Sequence, residues 1–326
     1  YLIALEDKLN SNYYYQKSDN FSLENMSAVY TYSKANLNND TKLKVYFLYA
    51  DIVKDIPTEE KNNVFEYAKA TFDEYDIEYD FIDVKDKMSI FEGQNIGQWG
   101  KAISYTHYIY LLAQNVLNDV KKVIYLDTDM IVNTDLSKVY NICLDNYLIA
   151  MGSPRGFEEM GEDVCNSGFI VMNLKEWRKE NTLKTLLEFG LTIPKCNFCD
   201  QNLLHQYFTV NNPDRILKVD KTYNIFPQLF TDIAIEDIKI LHFTGWKHIK
   251  PWYDLESKQR AGYLWWKYAR MTSFYEKFLF MNVIRNTHKH IQYKFFERIF
   301  SIKKLDGVKY LTFLGIQIKL ERKNNV

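Results

Sequence analysis

Strand-like and helix-like segments alternate through the first two-thirds of the chain, and this alternation limits the possible folds more than any other feature. The runs "KLKVYFLY" (42–49) and "IEYDFIDV" (77–84) are rich in β-branched and aromatic residues, and the helix-like "TEEKNNVFEYAKATFDEY" (58–75) lies between them. A second helix-like segment (102–117) leads into the apolar "KVIYL" (122–126). The pattern predicts an α/β fold in which a mostly parallel central sheet carries helices on both faces.

Size and composition are those of an ordinary globular protein. The chain has 326 residues, of which 47% are hydrophobic and 25% charged, enough for one large domain with an appendage. After Pro251 the sequence becomes aromatic and helix-like, and a basic tail follows. We therefore expect a main domain over 1–254 and a helical, basic region over 255–326.

Membrane and redox signals are weak in this sequence. No apolar run approaches the roughly eighteen residues of a spanning helix, and the opening "YLIAL" lacks the basic flank of a secretory signal. We expect a cytoplasmic protein. The four cysteines include the pair Cys196 and Cys199, for which reduced structural thiols are the expectation and a zinc or redox role is the alternative.

Two carboxylates follow the apolar run at 122–126. Asp127 and Asp129 lie one residue apart at the exit of a predicted buried strand, where their charges repel each other unless a cation lies between them. The later run "IKILHF" (238–243) brings His242 to the end of another predicted strand, and ligands of such sheets gather at strand carboxyl ends. Two carboxylates and an imidazole suit an octahedral divalent ion, Mn²⁺ more than Mg²⁺ because of the nitrogen ligand. Asp pairs also cap helices or form turns, which is the alternative.

Four motifs follow one another in the order "YLDTDMIV", "VCNSGFIVMNLKEW", "CDQNLLH" and "LHFTGWKHIKPW". Over residues 1–252 this set resembles the retaining glycosyltransferases of family 8, which include glycogenin and the bacterial lipooligosaccharide galactosyltransferases. The resemblance implies a GT-A type, Rossmann-like nucleotide-sugar-binding fold. It also implies transfer of a hexose, galactose or glucose, from a UDP-sugar to a saccharide hydroxyl in surface-glycan or lipooligosaccharide synthesis.

The same resemblance implies a set of site residues. Asp127, Asp129 and His242 would hold Mn²⁺, or Mg²⁺, against the UDP diphosphate. The remaining donor-binding positions would be Ala4, Glu6, Asp7, Thr128, Ser153, Asn166, Gly245 and Lys250.

Asp200 and Gln201 match the catalytic pair beside the anomeric carbon. Because an amide is a feeble nucleophile, a front-face route is favoured over a covalent intermediate. The alternative for Asp200 is a helix N-cap.

Two positions depart from the family pattern. Tyr110 stands where a basic residue is usual, and Ser153 stands where an Asp holds the donor sugar. Either Lys101 or Arg155 compensates, or the donor sugar differs from the usual ones. These departures also leave open an inactive sugar-nucleotide-fold binding module. An Asp-nucleophile phosphatase is a third reading of the Asp-x-Asp pair.

The tail over 282–326 carries ten Lys and Arg against three Asp and Glu, interleaved with aromatic and aliphatic residues. Such a segment suits an anionic membrane surface, which would place the protein at the inner face of the membrane and favour a lipid-linked acceptor. The alternative is a hairpin packed on the domain. No groove reader or stacking platform for nucleic acid is visible.

Overall fold

The computed structural model gives two compact units, residues 1–274 and residues 275–326. The residues that it describes are 2–5, 34, 36–37, 41–50, 58–95, 105–152, 165–194, 199–228, 232–244, 250–253, 260–273, 275–276, 279–280, 283, 300–305, 308–313 and 316–320.

The first unit contains nine described strands and seven described α-helices. The strands are β1 (Leu2–Leu5), β2 (Lys44–Tyr49), β3 (Glu78–Asp83), β4 (Val123–Leu126), β5 (Met130–Val132), β6 (Ile149–Gly152), β7 (Phe169–Met172), β8 (Ile216–Val219) and β9 (Ile240–His242). The α-helices are α1 (Thr58–Glu74), α2 (Ala113–Val116), α3 (Ser137–Tyr140), α4 (Leu174–Glu180), α5 (Thr182–Gly190), α6 (Cys199–Leu204) and α7 (Gly262–Ala269). A 3₁₀ segment, Tyr105–Leu112, leads into α2.

The central sheet has the strand order β3-β2-β1-β4-β7-β6-β8. Strands β3, β2, β1 and β4 are mutually parallel, and β6 is parallel to β8. Only β7 runs against its two neighbours, β4 and β6. The predicted α/β class and mostly parallel sheet are therefore confirmed.

The core lies around the middle of this sheet. Every residue of β4, β6 and β7 is buried, which explains why these strands are continuous apolar runs without alternation. Trp177 of α4 is fully buried and donates its indole N–H to the carbonyl of Leu148 at 2.8 Å. Burial of side chains of this kind contributes about 1.5–3 kcal/mol each.

The amphipathic pattern over 175–190 predicts a single helix closed by Gly190. That prediction is wrong, because the structure has two helices here, α4 and α5. Asn173 caps the start of α4 by accepting from the N–H of Glu176 at 3.3 Å. Asn181 then adopts a left-handed conformation, with φ of 54°, and ends α4. Asn tolerates this conformation better than most residues do.

Strands β5 and β9 form a separate two-stranded antiparallel sheet, which we call the β5–β9 ribbon. Met130 pairs with His242, and the N–H of Phe243 donates to the carbonyl of Asp129 at 2.8 Å. The N–H of His242 in turn donates to the carbonyl of Ile225 at 2.7 Å. The ribbon thus joins the region after β4 to the region after β9.

The expected division at residue 254 differs from the compact units, because the first unit continues to residue 274. Helix α7 belongs to that unit: Trp266 donates its indole N–H to the carbonyl of Pro251 at 3.0 Å. Just beyond the helix, the hydroxyls of Ser273 and Thr71 lie 3.0 Å apart. The first part of the aromatic segment, up to residue 273, therefore lies in the first unit.

The described strands of the second unit form an antiparallel three-stranded sheet, β10 (Phe300–Leu305), β11 (Val308–Phe313) and β12 (Ile316–Leu320). The expectation of a helical character is wrong for this part of the tail, whose apolar and polar residues alternate with the period of a strand. Among all the helices that the structure describes, none has the length and apolarity required to cross a bilayer.

Candidate active site

The acidic pair lies directly after β4. The N–H of Asp127 donates to the carbonyl of Gly168 at 2.8 Å, which extends the β4–β7 pairing by one residue. Tyr125 lies two residues earlier and donates its hydroxyl to Oδ1 of Asp127. Thr128 then makes the turn to Asp129, whose carbonyl belongs to the β5–β9 ribbon.

His242 comes to the same place from the other strand of the ribbon. Its Nε2 lies 3.1 Å from Oδ1 of Asp129 and 3.4 Å from Oδ2 of Asp127. One potential ligand atom from each of the three residues lies within 4.8 Å of the others, and the imidazole is buried. The structure therefore brings together the three residues that the sequence singled out as metal ligands.

The chemistry of this cluster fits a divalent cation. Burial is the largest single effect on the pKa of His242 and lowers it, but Asp129 and Asp127 together outweigh burial and raise the pKa. Although close to both carboxylates, Nε2 makes no well-aligned hydrogen bond with any described residue. A cation in the cluster would satisfy this buried nitrogen and relieve the repulsion between the two carboxylates.

Gly168 makes the close approach of these groups possible. A Cβ atom on this residue would lie 2.5 Å from Cε1 of His242 and 2.8 Å from Oδ2 of Asp127. Both distances are shorter than real Cβ contacts, so any larger residue would displace at least one potential ligand.

A chain of buried hydrogen bonds leads away from the imidazole. Nδ1 of His242 lies 3.0 Å from Oδ1 of Asn224, and Nδ2 of Asn224 donates to Oδ1 of Asn166 at 2.9 Å. Nδ2 of Asn166 donates to Oε1 of Gln201 at 2.7 Å. We call these four side chains the amide chain; all are buried. It connects the metal-ligand cluster to the predicted catalytic glutamine.

Asp200 is held from the side of the 3₁₀ segment. Tyr110 donates its hydroxyl to Oδ2 of Asp200 at 2.9 Å, and its ring stacks on Tyr125 with centroids 4.4 Å apart. Burial and the neighbouring Asp200 raise the pKa of Tyr110 well above its ordinary value, so the phenol stays protonated as a donor. Asp200 lies within the first turn of α6 and does not precede the helix, so the alternative of an N-cap is wrong.

Lys250 also meets the acidic pair. Its Nζ lies 2.7 Å from Oδ2 of Asp129 and donates to the carbonyl of Phe243. The structure therefore places this predicted donor-binding lysine beside the potential metal ligands, where its charge offsets part of their repulsion.

The structure describes only some of the other predicted site residues. Ala4 lies in β1, with Phe47 and Leu126 as its partners on β2 and β4. The remaining positions, Glu6, Asp7, Ser153, Gly245, Lys101, Arg155 and Cys196, lie outside the described residues.

Sequence reasoning missed three residues of this site. Tyr125 could have been found, since residues two apart on a strand share a face and 125 therefore faces the same side as 127. Gly168 stands inside a quoted motif, but nothing local shows how close His242 comes. Asn224 lies in a segment without periodicity, and no local signal indicates its role.

Sequence comparisons find relatives of this chain among glycosyltransferases. The chain is 27% identical over 183 residues to glycosyltransferase GlyB of Streptococcus pneumoniae serotype 4, which covers 52% of this chain and 43% of the relative. It is 23% identical over 194 residues to the lipopolysaccharide glucosyltransferase WaaO of Escherichia coli K12, covering 52% of this chain and 56% of that protein. The chain thus spans less than half the length of the pneumococcal relatives GlyB, GlyA and GlyF.

Solved structures share the fold. The galactosyltransferase LgtC, in complex with donor and acceptor sugar analogues, superposes with a TM-score of 0.58 at 18% identity, over 83% of this chain and 96% of LgtC. The bifunctional glycosyltransferase WbbM gives a TM-score of 0.62 at 16% identity, over 85% of this chain and 50% of WbbM. These likenesses identify the fold as the GT-A type. The model of glycosyl transferase family 8 matches residues 9–256, well over half of the chain, and the protein therefore belongs to that family.

Proposed function

We propose that this protein is a retaining hexosyltransferase that moves galactose or glucose from a UDP-sugar to a saccharide hydroxyl and depends on Mn²⁺. The observation that carries the proposal is the convergence of Asp127, Asp129 and His242 at the carboxyl end of β4. This is the edge of the sheet where α/β folds bind their ligands.

Asp127, Asp129 and His242 would hold the cation. When bound, a divalent ion supplies positive charge that stabilises the departing diphosphate. Lys250 adds a second positive charge beside Asp129, and we propose that it serves the same phosphates.

The amide and carboxylate side chains beyond the cluster would bind the sugar. Oε1 of Gln201 already accepts from Asn166, and its Nε2 is buried without a hydrogen-bond partner among the described residues. Gln201 is thereby suited to donate to a sugar hydroxyl and poorly suited to act as a nucleophile. This supports the front-face route.

The acceptor is proposed from the relatives. Because they include a lipopolysaccharide glucosyltransferase, we propose a saccharide acceptor in surface-glycan synthesis. A lipid-linked acceptor, a cytoplasmic location and docking of the tail on the inner face of the membrane remain predictions.

The experiment is release of UDP from a panel of UDP-sugars in the presence of Mn²⁺, with and without saccharide acceptors. We expect one hexose donor to be hydrolysed slowly alone and faster with an acceptor, and EDTA to stop both reactions. Undiminished turnover in EDTA would refute metal dependence.

An inactive binding module would instead bind UDP with Mn²⁺ and release none from any donor. Titration calorimetry beside the turnover assay distinguishes these outcomes. No described feature favours the phosphatase alternative.

A further inference from the structure

The amide chain has a direction, and a single backbone group fixes it. The N–H of Gly168 donates to Asn166 at 3.0 Å. A backbone N–H can only donate, so the atom of Asn166 that faces it must be the carbonyl oxygen Oδ1. The amide orientation of Asn166 is therefore determined by geometry.

This orientation propagates in both directions. On one side, Asn166 presents Nδ2, which requires Gln201 to present Oε1 at 2.7 Å. On the other side, Asn224 can satisfy Oδ1 of Asn166 only with its Nδ2, at 2.9 Å. Oδ1 of Asn224 is then left to face Nδ1 of His242 at 3.0 Å. Since that oxygen only accepts, Nδ1 must carry a proton.

A proton on Nδ1 leaves Nε2 as the atom with the lone pair once a cation is bound. Nε2 is the nitrogen that faces Asp127 and Asp129. A partner on the second ring nitrogen fixes the tautomer and the ring orientation of a metal-ligating histidine. Asn224 is well placed to be that partner, because it is fully buried and its loop is anchored to β9. The anchor is the N–H of the next residue, Ile225, which donates to the carbonyl of Ile240 at 3.0 Å.

We propose that Asn224 is a positioning residue of the metal site. It holds His242 with Nε2 toward the cation, and it ties this ligand to Asn166 and Gln201 so that the metal and sugar subsites keep one relative orientation. The inference rests on the proposed function, because it assumes that the cluster binds a divalent cation.

Two substitutions separate the two contacts of Asn224. Asn224→Ala removes both the acceptor for His242 and the donor to Asn166. Asn224→Asp keeps an acceptor for Nδ1 but loses the donor to Asn166. The matched control is Asn173→Ala, which removes a half-buried asparagine that makes three hydrogen bonds away from the site.

The measurement is titration of the full chain with MnCl₂, with and without UDP, read from the electron paramagnetic resonance of free Mn²⁺. Thermal unfolding is recorded in parallel. We expect Asn224→Ala to weaken Mn²⁺ binding by about 10–100-fold, the usual cost of losing the partner of a ligating histidine. Asn173→Ala should unfold at a similarly lowered temperature and bind Mn²⁺ as the wild type does. Asn224→Asp should retain Mn²⁺ binding and lose transfer activity.

Wild-type affinity in Asn224→Ala would overturn this inference and leave the proposed function standing. Affinity in Asn224→Asp as weak as that expected for the alanine variant would also overturn it, and this test remains if the alanine variant does not fold. Failure of the wild type itself to bind Mn²⁺ would overturn both the proposed function and the inference.

Discussion

At the scale of single residues, the main feature of the site is that the fold holds two carboxylates close together despite their mutual repulsion. Asp127 and Asp129 both approach Nε2 of His242, and Lys250 contacts Asp129. Lys250 compensates part of this negative charge, and a divalent cation held between the two carboxylates would compensate the rest.

Asp127→Asn or Asp129→Asn should abolish transfer, because a ligand is lost. The free energy of unfolding should stay unchanged or rise in Asp127→Asn, where a repulsion is relieved, and should fall in Asp129→Asn, where Lys250 loses its carboxylate partner. Mn²⁺ affinity should fall by more than the roughly 10–100-fold that loss of an outer-sphere partner costs. Asp119→Asn, at an exposed turn, is the control and should behave as the wild type. Urea denaturation measures the stability of each variant, Mn²⁺ titration measures its affinity, and UDP release measures its turnover. A variant that kept turnover would contradict the predicted loss of transfer.

Tyr110→Phe should lower kcat about tenfold or more, because Asp200 loses a buried donor while the ring stack on Tyr125 stays. The free energy of unfolding should fall by about 1 kcal/mol. Tyr108→Phe is a matched control, since this buried hydroxyl donates to the carbonyl of Asn95 at 2.6 Å, outside the site. It should lose similar stability and no activity. Steady-state kinetics with equal effects in the two variants would show that Tyr110 is only structural.

Gly168→Ala should weaken Mn²⁺ binding at least about tenfold, because the new methyl group would displace His242 or Asp127. Gly190→Ala is the comparison: its added Cβ would meet Oε1 of Gln94 at 2.2 Å, outside the metal-ligand cluster. This variant should lose stability and keep Mn²⁺ affinity. Spin-resonance titration of both proteins checks the difference, and unaltered binding in Gly168→Ala would contradict the close packing described.

At the scale of elements, the sequence predicted those strands and helices whose formation depends on residues close together in the chain. The apolar runs of β4 and β7 and the long helix α1 could be read from the sequence, since continuous burial and helical periodicity leave clear signatures. The direction of β7 could not be predicted, because a buried apolar run looks the same in a parallel and in an antiparallel strand. The β5–β9 ribbon could not be predicted either, because three-residue strands show no periodicity and their pairing joins distant parts of the chain.

The break between α4 and α5 yields a prediction of stability. Asn181→Ala should lower the free energy of unfolding by about 1–2 kcal/mol, because alanine pays the steric cost of the left-handed conformation at φ of 54°. Asn181→Gly should lose less than the alanine variant, since glycine adopts this conformation freely. Chemical denaturation measures the two values, and transfer activity should not change. Greater stability in the alanine variant would indicate that the helices fuse.

At the scale of the whole molecule, the sequence predicted that Asp127, Asp129 and His242 come together, but not the contacts that organise them. The catalytic role of Asp200 and Gln201 stays a prediction. Asp127, Asp129 and His242 follow apolar runs, so the sequence predicted their place at strand ends. The role of Asn224 could not be predicted, because it depends on His242, which β9 brings next to it. The tail is a similar case: its charge was evident and a hairpin was one of its two readings, whereas the pairing of three strands, β10, β11 and β12, was not predicted.

The three-stranded sheet of the tail gives a prediction about membranes. In its register, Ile302, Leu311 and Ile318 are cross-strand partners, while lysines occupy four other positions, 303, 304, 309 and 319. The full chain should co-sediment with vesicles that contain anionic lipid and not with neutral ones, at about 1 kcal/mol per basic residue near the surface. Replacing the four lysines by Gln should weaken this binding by about a thousandfold and spare UDP release. Equal sedimentation with both vesicle types would contradict the prediction.

The β5–β9 ribbon has a consequence for biosynthesis. Two ligands come from residues 127 and 129 and the third from residue 242, and their meeting depends on the pairing of Met130 with His242. The full set of proposed metal ligands can therefore form only after the ninth strand has left the ribosome. The proposed cation should accordingly bind late and stabilise a domain whose sheet is already largely assembled, rather than guide the first steps of folding.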